Sequence, residues 1–248
     1  MYIDGHTHLD FFEDKIDIAI EEINKNKILT LANSMDIESY KLNKEFAKRS
    51  KYIIPSFGIH PWKAKDFKDN LEDLKRYIKE SKLIGEIGLD FFWEEDKSTY
   101  KKQREIFNYI LNESINHNKF ISIHTKGAEE EIYNILKNKE YNKVIIHWYS
   151  GDLNTLKKLI DLRCYFTISV DIGYSELSEK ILSMIPLDRL LLETDGPTAL
   201  EWVNGEYGYP SYIKEVYKNV AILKNISLEY LENIIEDNLN KILSLTKR

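Results

Sequence analysis

A single cysteine, Cys164, excludes any internal disulfide, and its place in the apolar run CYFTISV reads as a small buried side chain with no catalytic role. Proline and glycine are sparse, 5 and 10 in 248 residues, and no Ser/Gly/Pro-rich stretch marks a linker, so residues 1–248 read as one domain. No stretch of 18 apolar residues occurs, and MYIDGHTHLD at the amino terminus lacks a basic segment followed by an apolar one. The expectation is a soluble, cytoplasmic protein that does not use the membrane. Positive charge is not in excess: 35 Lys plus Arg face 41 Asp plus Glu, a net charge of −6, which argues against a protein that coats duplex nucleic acid. A glycine-rich phosphate loop is also missing, which counts against a flavodoxin-like open sheet.

The chain does hold 43% apolar residues in a regular alternation. Strand-like runs fall at Tyr2 to Asp4, Ile28 to Ala32, Tyr52 to Phe57, Leu83 to Ile87, Phe120 to Ile123, Val144 to Ile146, Tyr165 to Val170 and Leu190 to Glu193. Between them lie segments of helical periodicity, such as Leu71, Leu74, Tyr77 and Ile78, or Ile106, Tyr109, Ile110 and Ile115. Two longer helical segments, Ser211 to Leu223 and Ser227 to Leu245, follow the last run. Strand then helix, eight times over, predicts parallel strands with right-handed crossovers and an α/β fold, a (β/α)8 TIM barrel whose functional mouth lies at the carboxyl ends of the strands.

Six side chains suited to metal ions stand at those ends: His6, His8, Glu86, His124, His147 and Asp195. A lone histidine beside an apolar segment is more often a buried, hydrogen-bonded core residue. The set carries the weight. His6 and His8, two apart in a strand, point to one face, so both imidazoles reach one ion. Four imidazoles and two carboxylates exceed what one ion takes from protein while keeping an open position, which predicts two ions, bridged by a carboxylate at about 3.5 to 4 Å.

The segments DGHTHLD (4–10), GIHPW (58–62), GEIGLD (85–90), IHTKG (123–127), HWYSG (147–151) and ETDGP (193–197), with the Gln103 to Phe107 spacing and Asn238, resemble the TatD family of metal-dependent deoxyribonucleases within the amidohydrolase superfamily. The resemblance implies that His6, His8, Glu86 and Asp195 surround one ion and Glu86, His124 and His147 the other, so that Glu86 bridges. It also implies that Asp195 takes the proton of the attacking water and that Glu86 and Asp195 are the catalytic carboxylates. His60 and Lys126 would bind substrate beside the scissile phosphate, and Asp90 would support the site as an outer partner or a helix cap. Mg2+ or Mn2+ is implied in turnover, while the imidazole-rich donor set also suits Zn2+.

The chain departs from the commoner family pattern in three places. It has HWYSG where many members have HCFSG, Gly196 where they have a small side chain, and no Lys or Arg in residues 198–210, where Glu201 and Glu206 stand with Trp202, Tyr207 and Tyr209. Those rings read equally as stacking platforms for bases or as a packed lid. The HWYSG and ETDGP variants resemble the TatD-type nuclease of Qat anti-phage cassettes, which implies defence-system protein partners. The predicted activity is hydrolysis of DNA phosphodiester bonds, exonucleolytic, on single strands, 3′ ends or frayed ends. The alternative keeps the fold and metals and acts on a small-molecule ester, amide or phosphotriester, because loops rather than the barrel set specificity.

Overall fold

The computed structural model describes residues 1–245. Eight strands, β1 (Ile3–Thr7), β2 (Leu29–Asn33), β3 (Ile53–Phe57), β4 (Leu83–Asp90), β5 (Ile121–Lys126), β6 (Val144–Ile146), β7 (Tyr165–Ile168) and β8 (Leu190–Leu192), pair in parallel in sequence order. The helices on the outside are α1 (Ile16–Asn26), α2 (Ile37–Ala47), α3 (Lys75–Glu80), α4 (Tyr100–Asn116), α5 (Glu129–Asn138), α6 (Leu153–Asp161), α7 (Glu176–Met184), α8 (Thr198–Asn204), α9 (Ile213–Lys224) and α10 (Leu228–Leu245). This is the predicted TIM barrel.

The seam between β8 and β1 is closed past the end of the ladder. Asp195 N–H donates to the His6 carbonyl at 2.9 Å and His8 N–H to the Gly196 carbonyl at 3.1 Å. Inside the seam, the Asp4 carboxylate accepts from the Thr194 backbone N–H at 2.9 Å and the Thr194 hydroxyl at 2.6 Å. Burial pushes the Asp4 carboxyl up to about 7, against the pull of those Thr194 bonds.

Strands buried on both sides read as continuous apolar sequence, and β6 (VII) and β8 (LLL) are fully buried. Helices are recognised by their spacing: α4 buries Gln103, Ile106, Phe107, Ile110, Leu111 and Ser114, one stripe at three- and four-residue steps. Gln103 is polar because it clamps the end of β4, accepting from Asp90 N–H at 2.9 Å and donating to the Asp90 carbonyl at 3.1 Å. Asn238 on α10 donates to the carbonyls of Leu187 and Leu190 at 2.7 and 2.9 Å, tying the last helix to the start of β8. Cys164 is buried, and burial pushes its thiol up to about 12, which suits a packing role. No helix of the described residues is long and apolar enough to cross a membrane.

Candidate metal centre

All six candidate ligands converge at the mouth. His6 lies in β1 with His8 just beyond it, Glu86 lies in β4 and His124 in β5, and His147 and Asp195 follow β6 and β8. Glycine makes the approach tight where it must be. A Cβ on Gly58 would stand 2.2 Å from the Glu86 carbonyl oxygen, and one on Gly88 2.1 Å from that of His124, so no larger residue fits at the ends of β3 and in β4. Two non-glycine residues at the mouth, Trp148 (φ 33°) and Asp195 (φ 45°), hold left-handed backbone, strain of the kind concentrated at functional sites.

The two oxygens of Glu86 face different groups. Oε2 lies 3.3 Å from His6 Nε2 and 3.2 Å from His8 Nε2, which are themselves 3.3 Å apart, with Asp195 Oδ1 at 3.8 and 3.6 Å from the two imidazoles. Oε1 lies 2.9 Å from His124 Nδ1, 3.3 Å from His147 Nε2 and 3.6 Å from His60 Nε2. Donor atoms sharing one ion at 2.0 to 2.1 Å sit roughly 3.0 to 3.4 Å from each other, by simple tetrahedral or octahedral geometry. The donor chemistry and these spacings fit divalent cations, and His6, His8 and Asp195, or His6, Glu86 and His147, form groups that could hold one.

Behind the donors stand groups that orient them. His6 Nδ1 is 3.3 Å from Ser122 Oγ, His124 Nε2 is 2.8 Å from Asp90 Oδ2, and His147 Nδ1 is 3.1 Å from Glu193 Oε1. Each partner can take the proton of the far ring nitrogen, leaving a lone pair on the near one for a metal. Asp90 is held in turn by the Trp62 indole N–H at 2.8 Å and by the backbone N–H groups of Phe92 and Trp93 at 3.0 and 2.7 Å. Burial works to raise its carboxyl, and the bonds and charge of His124 and those N–H groups hold it well below the usual carboxylate range. Asp90 thus supports His124. Glu193 is the functional neighbour that the sequence reading passed over, since it stood at the end of an apolar run as a strand residue; its signal was a carboxylate inside RLLLET. Burial pushes Glu193 up to about 7.

His60 differs from the other four. It also approaches Glu86 and His124, and with them forms a third group of metal-competent atoms. Its Nδ1, however, accepts from the Trp62 backbone N–H at 3.2 Å, which leaves the ring proton on Nε2, facing the site. A nitrogen that carries a proton donates rather than ligates. Burial pushes His60 down to about 4, with the opposing charge of Glu86 too weak to reverse it, so it is a neutral donor near pH 7.

Protonation divides the imidazoles differently, with His147 lowered like His60 and the other three raised. Burial disfavours the imidazolium of His8, yet the hydrogen bond and charge of Glu86, with Asp195 and Asp10, raise it to about 9. Against the same cost of burial, Glu86 with Asp195 and Glu193 raises His6, and Asp90 with Glu86 raises His124, whereas burial and the neighbouring His6 push His147 well below the usual histidine value. Burial works to raise Glu86, but the imidazoles of His60, His147, His6 and His124 hold it well below its ordinary value. Glu86 is therefore held as a carboxylate.

Above the donors opens a cavity of about 510 Å³, whose wall includes His8, His60, Glu86, His124, His147 and Asp195. Lys126 lines it too, but its ammonium is engaged, donating to the Trp148 carbonyl at 2.7 Å and Ser150 Oγ at 2.9 Å, and burial lowers its pKa. Of the three rings in the loop after β8, only Trp202 lines the cavity. Tyr207 packs edge-on to Phe12 with its centroid 5.9 Å away, tilts against Tyr209 at 4.8 Å, and carries the Lys15 ammonium 3.8 Å over its face. Those two tyrosines are packing residues outside the cavity wall.

Comparison with known proteins places this geometry. A family described as TatD related DNase matches residues 3–244. A protein of Buchnera aphidicola subsp. Baizongia pistaciae, described as an uncharacterized metal-dependent hydrolase, is 30% identical over 258 residues, covering 98% of this chain and 96% of its own. The metal-dependent hydrolase YcfH of Escherichia coli K12 is 27% identical over 253 residues, covering 97% and 94%. Among solved structures, YJJV, a TatD homolog of Escherichia coli K12, superposes with a TM-score of 0.86 at 20% identity over 97% of each chain.

Proposed function

The chain belongs to the TatD-related DNase family and is a metal-dependent hydrolase acting on ester bonds, and from that premise we propose that it cleaves the phosphodiester bonds of DNA, exonucleolytically, at single-stranded, 3′ or frayed ends, with two divalent ions as cofactors. The observation that carries the reading is the division of Glu86, one oxygen toward His6 and His8 and the other toward His124 and His147. Residues His6, His8, Glu86 and Asp195 would hold one ion and Glu86, His124 and His147 the other. Bound there, divalent ions lower the pKa of water and offset charge building on the phosphoryl oxygens. Asp195, whose Oδ1 lies 3.8 and 3.6 Å from the Nε2 atoms of His6 and His8, accepts the proton that the attacking water gives up. His60 Nε2–H and, once released from Ser150, the Lys126 ammonium donate to the non-bridging oxygens. Mg2+ or Mn2+ is the proposed working ion; Zn2+ suits the same donors. The HWYSG and ETDGP motifs are what supports a defence setting with protein partners.

The test is cleavage of end-labelled single-stranded DNA with Mg2+ or Mn2+. The expected result is nucleotide release that Glu86→Gln reduces by about a thousandfold or more; equal rates for the two proteins would reject the proposal. One observation favours the alternative, a small-molecule ester, amide or phosphotriester: the cavity wall sets Lys126 against Glu129, Asp152 and Asp171. Hydrolysis of neutral esters without any action on DNA would select it.

A further inference from the structure

All four tryptophans of the chain line the one cavity above the candidate ligands. They arrive from different loops: Trp62 after β3, Trp93 after β4, Trp148 after β6 and Trp202 from α8 after β8. Two are committed elsewhere. Trp62 donates its indole N–H to Asp90 at 2.8 Å, and Trp148 lies half-buried with the Lys126 ammonium 5.3 Å from its ring. The other two stand in water, Trp93 63% exposed and Trp202 65%, with Phe92 beside Trp93 at 4.8 Å, also 65% exposed. Large rings held in solvent around a concave site mark a surface that something covers.

What covers it is limited by charge. The wall carries Glu129, Asp152 and Asp171, and its one lysine is engaged with Trp148 and Ser150. Away from the ions and the scissile phosphate that His60 and Lys126 serve, further phosphates would meet Glu129, Asp152 and Asp171, whereas an uncharged nucleobase meets rings that stack on any base. A volume of about 510 Å³ is in the range of pockets that enclose one small organic ligand, here one or two terminal nucleotides. We infer that Trp93 and Trp202 form a base-stacking subsite that holds the terminal nucleotides of an unpaired strand, so that affinity comes from bases rather than from phosphates. This rests on the nuclease reading above and specifies how that site takes hold of its substrate.

The experiment is calorimetric titration of the metal-loaded protein with phosphorothioate octathymidylate and with the same strand bearing abasic terminal positions. Trp93→Ala and Trp202→Ala should each weaken binding of octathymidylate about tenfold, Trp202→Phe should restore most of it, and the abasic strand should bind wild type as weakly as the alanine variants bind the intact one. The slope of log K against log salt should match one or two phosphates, roughly −0.7 to −1.4. Unchanged affinity in both alanine variants, equal binding of the abasic strand, or a slope of four or more phosphates would overturn the subsite. If those results came with cleavage that Glu86→Gln abolishes, the subsite falls and the nuclease reading stands; if wild type neither bound nor cleaved DNA, the nuclease reading falls and takes the subsite with it.

Discussion

Glu86 and His8 make opposite demands on a proton, and the metal has to settle between them. The Glu86 carboxyl is held ionised, while His8, raised to about 9 by Glu86 and its acidic neighbours against the cost of burial, keeps a proton in the metal-free protein at neutral pH. A divalent ion binds only the neutral ring, so it must displace that proton. Apparent metal affinity should therefore rise with pH up to about 9 and level off above it. Calorimetry in buffers of differing ionisation enthalpy should record proton release on binding at pH 7; affinity that stays flat between pH 6 and 9, with no proton released, would contradict the assignment of His8. The ligand-type residues were legible because chemistry-bearing side chains interrupt apolar runs. Asp90 was legible as a supporting residue from GEIGLD, whereas Glu193 was not, since it reads as the last residue of an apolar strand and its contact is to the far nitrogen of His147.

At the scale of elements, the interiors of strands and helices followed from sequence while their ends did not. Val144 to Ile146 is the same in both, but β4 runs on to Asp90 and β5 to Lys126, past the apolar residues that announce them. The β5 extension, His124 to Lys126, is polar and the β4 extension mixes Gly88 and Asp90 with the buried Leu89, so hydrophobic alternation alone does not mark either end. Capping shows which local signals do work at a boundary. Asp36 begins α2 by accepting from Ser39 N–H at 2.9 Å, the Ser39 hydroxyl accepts from Asp36 N–H at 2.9 Å, and Lys63 pairs with Asp36 at 3.2 Å. Partial burial works to raise Asp36, and the Ser39 bonds with Lys63 overcome it, so the pKa is lowered. A lowered carboxyl contributes stability above its ordinary value of 3.8 that is lost as the pH falls below it. Asp36→Ala should cost about 1 kcal/mol, or roughly 2 to 4 °C in Tm for a chain of this size, near pH 7, with a smaller cost as the pH falls below 3.8, and should leave metal binding intact. Thermal melts on either side of that value check this; an equal loss on both would mean that the effect is not the carboxylate's.

For the whole molecule, the barrel was legible because eight alternations of strand and helix admit few other arrangements, and because ligand-type residues recur at the carboxyl ends of five of the strands. The convergence of Trp62, Trp93, Trp148 and Trp202 was not, since each lies in a different loop and nothing in sequence fixes which way a loop turns. For the same reason Tyr207 and Tyr209 read as equal to Trp202 in sequence but pack onto Phe12 and each other, away from the cavity. The consequence for the metal centre is that its geometry is a property of the closed barrel: His6 and Asp195 meet only because the seam bonds between 195–196 and 6–8 close it. Diffraction at the manganese absorption edge from crystals grown with Mn2+ tests this most directly. Two anomalous peaks should flank Glu86, one within bonding distance of His6 and His8 and the other of His124 and His147; a single peak, or peaks away from Glu86, would contradict the bridged pair of ions.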